Sequence, residues 1–336
     1  PHLVATICWL PTNPLRASRS LADSRNARGV SENFRVPDAR FHSAPTDWTL
    51  PGRFLKVSRS ASIGVMHDPL LPLLPGPRDA DRPWLICYGI DERVELTGHV
   101  LSMWLAKIAG LITSESTQGD GVHVGLPPHW RTVAWTCGAW LAGRGVLLGD
   151  EEEIATAGLT PELSVAFTAE RLCDEAEVQV LVPPASLALR WPGELPALAL
   201  DGAADLMHYP DHFTPVSATA DLTCLSDLTT DPAAPTTQGG PAGTIPPDAR
   251  PATLTRAELV SRVEAAAGTA GAESSSTSRA VLVRCPGTAQ ALQEVLVAWR
   301  TGRTAVLLTP EAGDDVAAAA VRQEGITEWV GGPQSR

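Results

Sequence analysis

Two distant stretches of this chain are nearly the same: "AWLAGRGVLL" runs from Ala139 to Leu148, and "AWRTGRTAVLL" runs from Ala298 to Leu308. The agreement continues upstream of both stretches, as expected of a repeat rather than a coincidence. The offset is 159 residues at the quoted letters and 158 further upstream, where one residue of slip falls in a polar loop. The matching pairs include Trp140 with Trp299, Gly143 with Gly302, Arg144 with Arg303, Leu96 with Leu254, and Thr97 with Thr255.

Each copy predicts a helix at its start. After Thr97, apolar residues recur at helical spacing from Leu101 to Ile112, and the threonine can cap the first turn. In the second copy, Thr255 and Glu258 have the spacing of a capping box, in which each side chain satisfies an unpaired backbone donor. The sequence therefore predicts an amphipathic helix at the same place in both copies.

A strand, a helix and a second strand follow in each copy. The short apolar runs at 122–126 and 280–285 predict strands, and each stops at a proline. The following helix ends at Gly143 or Gly302, where a residue without Cβ can adopt the left-handed conformation. Such βαβ units are characteristic of parallel sheets. We therefore predict an α/β fold of two similar lobes, with mainly parallel sheets flanked by helices.

Composition divides the chain into segments. Residues 1–65 lack periodicity and predict a disordered tail. Because the chain begins with Pro1, Met66 is a candidate natural start and the upstream stretch a spurious extension; a genuine basic arm is the alternative. Residues 229–251, rich in Pro, Gly and Thr, predict a linker. The expected lobes are then 66–228 and 252–331.

The charge distribution excludes some classes of partner. The formal net charge is −12, but residues 1–65 hold nine basic and four acidic side chains, so the remainder is −17. An acidic body of this kind repels nucleic-acid phosphates and anionic membrane surfaces. No apolar run reaches the roughly 18 residues that a membrane span needs. We therefore expect a cytoplasmic protein without nucleic-acid or membrane partners, whose six scattered cysteines are buried free thiols.

The residues of the first copy resemble a known superfamily. "ELTGHVLSMWLAKIAGLI", followed by "GDGVHVGLPPHWRTVAWTCGAWLAGRGVLLGD", is similar to the opening of acyl-adenylate-forming enzymes, the acyl-CoA synthetase and AMP-ligase superfamily. The resemblance is good over 80–150 and weaker over 252–310. "LALDGAADLMHYPDHFTP", from Leu198 to Pro215, resembles a small group of short bacterial proteins described as AMP-binding-like. The superfamily's large domain also contains two similar α/β lobes, which accounts for the duplication.

The resemblance implies ATP or AMP as a candidate ligand, with Mg²⁺ only if ATP binds. Adenylation in the superfamily needs a Gly/Ser/Thr-rich loop ending in lysine to hold phosphates. The chain has two runs of small residues, 238–244 and 276–282, and neither ends in the lysine of such a loop. The chain contains only Lys56 and Lys107, and we expect Lys107 to be solvated on the first helix. We therefore assign no catalytic residue, cofactor-binding residue or metal ligand.

Three functions remain open. The first is a shortened, regulatory or binding module that keeps a crevice for a nucleotide or acyl-adenylate without complete adenylation machinery. The second is an active ligase whose missing groups come from a partner chain or from arginines such as Arg279 or Arg284. The third is a protein-interaction scaffold without a ligand. Whether the chain is an enzyme is left undecided.

Several other residues are candidates for chemistry. His123 and His129 are placed where strand ends of such sheets face a binding crevice, although packed histidines are the favoured interpretation. His208, Asp211 and His212 could hold a metal, but Pro210 argues against the helix this requires. The acidic run 149–153 is interpreted as a solvated loop. The remaining candidates are tryptophans on predicted helices, which we expect to be core: Trp104, Trp130, Trp135, Trp140 and Trp299.

Overall fold

The structure is a computed structural model that describes residues 3–6, 68–76, 81–117, 119–229, 252–273, 279–327 and 329–330. One compact unit comprises residues 1–9 and 64–336, and another comprises 10–63, which lies outside the described residues. Most of the predicted tail (1–65) and all of the predicted linker except Thr229 also lie outside them.

Strands and helices alternate through the first unit. The strands are β1 (Leu3–Thr6), β2 (Pro83–Tyr88), β3 (Glu92–Thr97), β4 (Val122–Gly125), β5 (Val146–Leu148), β6 (Leu163–Ala166), β7 (Val178–Leu181), β8 (Leu200–Asp201), β9 (Thr223–Asp227), β10 (Ala252–Thr255), β11 (Ala280–Val283), β12 (Thr304–Leu308) and β13 (Trp329–Val330). The helices are α1 (Gly98–Glu115), α2 (Trp130–Leu141), α3 (Glu151–Thr156), α4 (Arg256–Glu273), α5 (Thr288–Arg300) and α6 (Asp314–Glu324). Short 3-10 turns occupy Leu71–Leu73, Ala169–Arg171 and Asp205–His208.

These strands form two mainly parallel sheets. One has six strands in the order β1-β3-β2-β12-β11-β13, and the other has seven in the order β10-β9-β5-β4-β6-β7-β8. The antiparallel pairs are β2 with β3 and β9 with β10. The predicted fold class, two similar α/β lobes with helices against mainly parallel sheets, is confirmed. Strand β1 pairs with β3 and so differs from the tail predicted for that segment, because it covers an otherwise unpaired sheet edge.

The sheets do not divide at the predicted linker. The antiparallel pair β2–β3 precedes the helices of the first copy but joins the sheet of β11 and β12, which belong to the second. Reciprocally, the pair β9–β10 joins the sheet of β4 and β5. The leading hairpin of each copy therefore pairs with the strands of the other copy's sheet. The stretch 229–251 accordingly joins two strands of one hairpin rather than two lobes.

The exchange follows the same register twice. β12 pairs in parallel with β2, and β5 pairs in parallel with β9. Within the hairpins, the pairing of β2 with β3 shifts at Trp84, and that of β9 with β10 shifts at Cys224. The indole N–H of Trp299 donates to the carbonyl of Trp84 at 2.8 Å, and that of Trp140 donates to the carbonyl of Cys224 at 2.7 Å. In each sheet, the repeated tryptophan thus bonds to the strand that comes from the other copy.

The repeated glycine ends the helix before it in each copy. Gly143 has a φ of +77° and Gly302 a φ of +73°, the left-handed region that favours glycine. The next residue, Arg144 or Arg303, then donates its N–H to the carbonyl of Ala139 or Ala298 at 2.8 Å. This geometry turns the chain from α2 into β5, and from α5 into β12, as the sequence predicts.

One large apolar cluster draws residues from both sheets and from α1, α2, α4 and α5. Trp130, Trp135 and Trp140 are fully buried in it, Trp299 is nearly so, and Trp104 packs on its edge, so the core interpretation of these side chains is confirmed. The five described cysteines are free and buried, as predicted; Cys8 lies outside the described residues. Over the described part of the chain, no helix combines the length and apolar character needed to span a bilayer.

Candidate functional site

A cavity of about 560 Å³ lies where strands of both sheets end. Its walls come from the start of β3 and from the loops that follow β2, β4, β6, β7 and β12, which leave the carboxyl ends of those strands. The crevice at carboxyl ends is where open α/β sheets bind ligands. The volume falls in the range of roughly 300–1,000 Å³ that is usual for small-molecule sites. The cavity is therefore the candidate functional site.

The cavity walls are mostly apolar. Pro127 and Pro128 line one side after β4, and Phe167 lines another after β6. At the mouth, Ile90 and Leu187 remain 57% and 48% exposed. Such walls suit the flat or aliphatic part of an organic molecule.

Glu92 and Ser186 form the polar floor of the cavity. The hydroxyl of Ser186 donates to Glu92 Oε1 at 2.7 Å, and its backbone N–H donates to Oε2 at 3.2 Å. The indole N–H of Trp130 donates in turn to the Ser186 hydroxyl at 2.8 Å. Burial raises the pKa of Glu92, but the neighbouring His129 ring and the hydrogen bonds from Ser186 outweigh it, so the pKa lies below its ordinary value. Glu92 is therefore ionised at neutral pH.

Arg131 holds the loop behind this floor. Its guanidinium donates to the Ser186 carbonyl at 3.2 Å and lies 4.5 Å from the centroid of the Trp130 ring. Burial lowers the pKa of Arg131 to about 10, which still leaves the group charged at neutral pH. The positions of Ser186 and Glu92 therefore depend on a buried cation and an aromatic ring.

His129 stands beside Glu92. Its Nδ1 accepts the N–H of Arg131 at 3.1 Å and so caps the start of α2. Its Nε2 lies 3.7 Å from Glu92 Oε1. Burial lowers the pKa of His129 below its ordinary value, so the ring is neutral at neutral pH. His129, a candidate from the sequence, is thus both a packed helix cap and part of the cavity lining.

The charge of the cavity is negative. Three carboxylates line it, those of Asp91, Glu92 and Glu311. Arg93, which supplies the positive charge among the lining residues, forms ion pairs at 2.8 Å with Glu95 and at 2.9 Å with Glu324. These side chains offer little to a triphosphate, since its negative charges would face carboxylates. They suit a neutral group that donates hydrogen bonds.

His123 lies apart from the cavity lining in a buried hydrogen-bonded cluster. Its Nδ1 is 2.7 Å from Ser164 Oγ and 3.2 Å from Cys173 Sγ, and its Nε2 is 3.0 Å from the Gly149 carbonyl. Burial lowers the pKa of His123 to about 4. The favoured sequence interpretation, a packed histidine, agrees with this placement.

The other histidine candidates lie on the surface. His208 and His212 are exposed, on either side of a bend that includes Pro210. Among the described residues, no group of three or more His, Cys, Asp or Glu side chains is placed to hold a metal.

Lys107 differs from the expected solvated side chain: it donates to the Tyr209 carbonyl at 2.7 Å and pairs with Asp211 at 2.6 Å. A side chain occupied in this way anchors a loop.

The acidic run 149–153 begins helix α3 rather than forming a solvated loop. Asp150 and Glu153 form a capping box, which satisfies the backbone donors of the first turn.

The two arginines considered as substitutes for lysine lie outside the cavity lining. Arg284 pairs with Asp314 at 2.5 Å, and Arg279 is exposed. The small-residue run 238–244 and residues 276–278 lie outside the described residues.

Glu92 and Ser186 are the functional candidates that sequence reasoning missed. Neither belongs to a recognisable motif, and 94 residues separate them. Glu92 begins β3 in one sheet and Ser186 lies in the loop after β7 of the other, so only the packing of the two sheets brings them together. The one sequence clue was the position of His129 at a strand end.

Solved structures with a similar fold are adenylate-forming proteins. An acyl-CoA synthetase from Brucella canis matches with a TM-score of 0.56 and 18% identity, over 79% of this chain and 50% of that chain. An ATP-bound RpMatB-BxBclM chimera matches with a TM-score of 0.50 and 13% identity, over 76% of this chain and 48% of that chain. At these identities the similarity shows the fold. The chain has the fold of the N-terminal domain of adenylate-forming enzymes, as the sequence resemblance predicted.

A relative from Mycobacterium tuberculosis, described as a TIGR03089 family protein, is 34% identical over 144 residues. The match covers 41% of this chain and 50% of that protein. No protein-family model matches the chain. The chain thus spans about half the length of the curated relative and of the similar synthetase.

Proposed function

We propose that this chain is a binding or regulatory module for an adenylate-type ligand, either a nucleotide or an acyl-adenylate, without complete adenylation machinery. The observation that carries the proposal is the cavity at the carboxyl ends of strands from both sheets, with apolar walls and a polar floor. A similarly folded protein was solved with ATP bound.

The charges around the cavity favour binding over catalysis. Lysine and arginine are the usual counter-charges for a transferring phosphate. Lys107 is held by Asp211, and Arg93 is held by Glu95 and Glu324. A cytoplasmic location is a further part of the proposal, supported by the buried free thiols. A protein partner that completes or reads out the site is proposed with it, because Lys107 and Arg93 are already paired with carboxylates.

Thermal unfolding of the full chain tests this function. A ligand that binds only the folded state stabilises it by about 2.7 kcal/mol at a concentration 100-fold above its Kd. We expect AMP or a non-hydrolysable acyl-adenylate to raise the unfolding temperature. Ala185→Trp, which adds bulk to an exposed residue of the lining, should abolish the rise, whereas Ala188→Trp in the same loop should preserve it.

The other two functions give different results. ATP–pyrophosphate exchange by the purified chain with added acids would replace the binding module with an active ligase. Cooperative unfolding that none of the nucleotides shifts would overturn ligand binding and favour the scaffold.

A further inference from the structure

We propose that the cavity takes the base end of its ligand: the adenine edge contacts Glu92 and His129, and the phosphate points out through the mouth. This inference rests on the proposed function, because it names which part of an adenylate the cavity receives.

His129 supplies a hydrogen-bond donor. Because its Nδ1 accepts the N–H of Arg131, the neutral ring carries its proton on Nε2. The nearest acceptor described for that N–H is Glu92 Oε1 at 3.7 Å, which is too long for a full hydrogen bond. The side chain is 5% exposed, so this donor has little access to bulk water. A ligand acceptor within reach would complete its bonding.

Glu92 supplies acceptors next to that donor. Each of its two oxygens receives one bond from Ser186, from the hydroxyl or from the backbone N–H. An ionised carboxylate offers roughly four acceptor positions, so each oxygen retains capacity. The side chain is 34% exposed and lines the cavity. The floor therefore presents a donor and an acceptor side by side.

An adenine ring offers the complementary pair. Its edge carries a ring-nitrogen acceptor next to the amino group at C6, which donates. The ring nitrogen can accept from His129 Nε2–H while the amino group donates to Glu92. The faces of the base would then lie against apolar walls that include Phe167 and Pro128.

The phosphate fits the opposite end. Within the cavity it would lie against the half-buried carboxylate of Glu92 in an apolar surrounding, which raises its free energy, whereas Asp91 and Glu311 are exposed and water screens their charges. At the mouth, between the half-exposed side chains of Ile90 and Leu187, it would stay hydrated. The charges and the opening therefore favour one orientation of the ligand.

Calorimetric titration of the full chain tests this orientation. We expect adenosine to bind within about threefold of AMP, because the phosphate adds few contacts. Purine riboside 5′-monophosphate, which lacks the amino group, should bind roughly tenfold or more weakly than AMP. This comparison needs no variant, so it does not depend on folding of an altered chain.

Matched variants assign the contact. Glu92→Gln keeps an acceptor for Ser186 but removes the charge, and we expect it to weaken AMP binding roughly tenfold. Glu311→Gln removes the same charge from an exposed residue of the lining, where water screens it, and should weaken AMP binding less than Glu92→Gln does. His129→Asn keeps a residue that can cap α2 but removes the N–H at Nε2. It should therefore weaken AMP binding as Glu92→Gln does.

Two results would overturn the orientation while leaving the proposed function standing. One is AMP binding far more tightly than adenosine, which would show that the phosphate makes favourable contacts of its own instead of staying hydrated at the mouth. The other is tighter AMP binding by Glu92→Gln, which would place the phosphate beside Glu92. If no adenine compound binds at all, the proposed function itself fails and the orientation fails with it.

Discussion

The two copies, residues 83–148 and 223–308, pair their strands alike but differ in the loop of the leading hairpin. In the first copy three residues, Gly89–Asp91, join β2 to β3, and the loop borders the cavity. In the second copy the corresponding connection between β9 and β10 runs over 228–251. The same strand pairing therefore carries a short loop beside the cavity in one copy and a long connection in the other. The exchanged hairpin is therefore structural in both copies, and in the first copy its short loop also shapes the candidate site.

The copies also differ at the first residue of the helix that follows this hairpin. The first residue of α4, Arg256, is fully buried, pairs with Asp68 at 2.5 Å, and donates to the carbonyls of Trp140 and Arg144. The matching first residue of α1 is Gly98. At the end of α5, the carbonyl of Gly302 accepts a hydrogen bond from Arg82, a half-buried side chain whose guanidinium lies over the Trp84 ring. A fully buried ion pair therefore supports the end of α2, and a half-buried arginine without a buried carboxylate supports the end of α5.

Breaking the buried ion pair should have the largest effect. Arg256→Met leaves the Asp68 carboxylate buried without its cation, and we expect a loss of about 3–5 kcal/mol in the free energy of unfolding, measured by urea denaturation. Arg82→Met, the matched change at the other helix end, should cost no more than about 1 kcal/mol.

The double variant Asp68→Asn/Arg256→Met should recover part of the loss, because it removes the isolated charge but keeps an acceptor for the Leu70 N–H. Equal costs for Arg256→Met and Arg82→Met would show that burial of the pair does not distinguish the copies.

His123 gives the next largest effect, through pH. Its counterpart in the second copy is Leu282, so only the first copy has a titrating group at this strand position. The pKa of His123 is about 4 in the folded chain, against 6.5 ordinarily. Between these values the unfolded chain binds a proton that the folded chain does not, so stability falls as the pH drops from 6.5 to 4. At about 1.4 kcal/mol per pKa unit, the full loss is about 3 kcal/mol.

Urea denaturation at several pH values between 4 and 6.5 measures this slope. His123→Gln should flatten it relative to the unaltered chain, and His99→Gln, at an exposed histidine, should leave it unchanged. If both variants keep the original slope, carboxylates elsewhere carry the pH dependence.

The helix-ending glycines should show the smallest difference. Both have positive φ, so replacement by alanine costs about 1–2 kcal/mol at either site. A Cβ at Gly143 would lie 2.9 Å from a side-chain carbon of Val216, whereas one at Gly302 meets open space. We therefore expect Gly143→Ala to lower the unfolding free energy by about 1 kcal/mol more than Gly302→Ala.

Adding Val216→Ala to Gly143→Ala should bring its cost down to that of Gly302→Ala. A larger cost for Gly302→Ala would contradict the assignment of the difference to Val216.

Much of the fold follows from local pattern. The helix after Thr97, the capping box of Thr255 and Glu258, and the helix ends at Gly143 and Gly302 depend on neighbours in sequence, and the structure has all of them. The acidic run 149–153 was misjudged because its own capping box makes it the start of a helix. The division of strands between sheets was not predictable in this way, since either hairpin could satisfy the edge of either sheet.

The candidate site shows the same limit. His129 could be proposed because its position after a strand is visible in the sequence, but Glu92 and Ser186 could not, because they are 94 positions apart and neither belongs to a motif. Lys107 was expected in solvent, and only packing of the distant segment around Tyr209 and Asp211 shows that it is occupied.

By itself, the sequence determined two matching α/β units, their helix boundaries, the buried thiols and the lack of lysines beyond Lys107. Only in the folded chain does the first hairpin of each unit pair with the other unit's sheet, and only there does a cavity form with Glu92 and Ser186 as its floor and His129 beside them. The physical reason is range. Periodicity and capping act between residues a few positions apart, whereas the choice of a sheet partner depends on edges and side chains that meet only when the chain is folded.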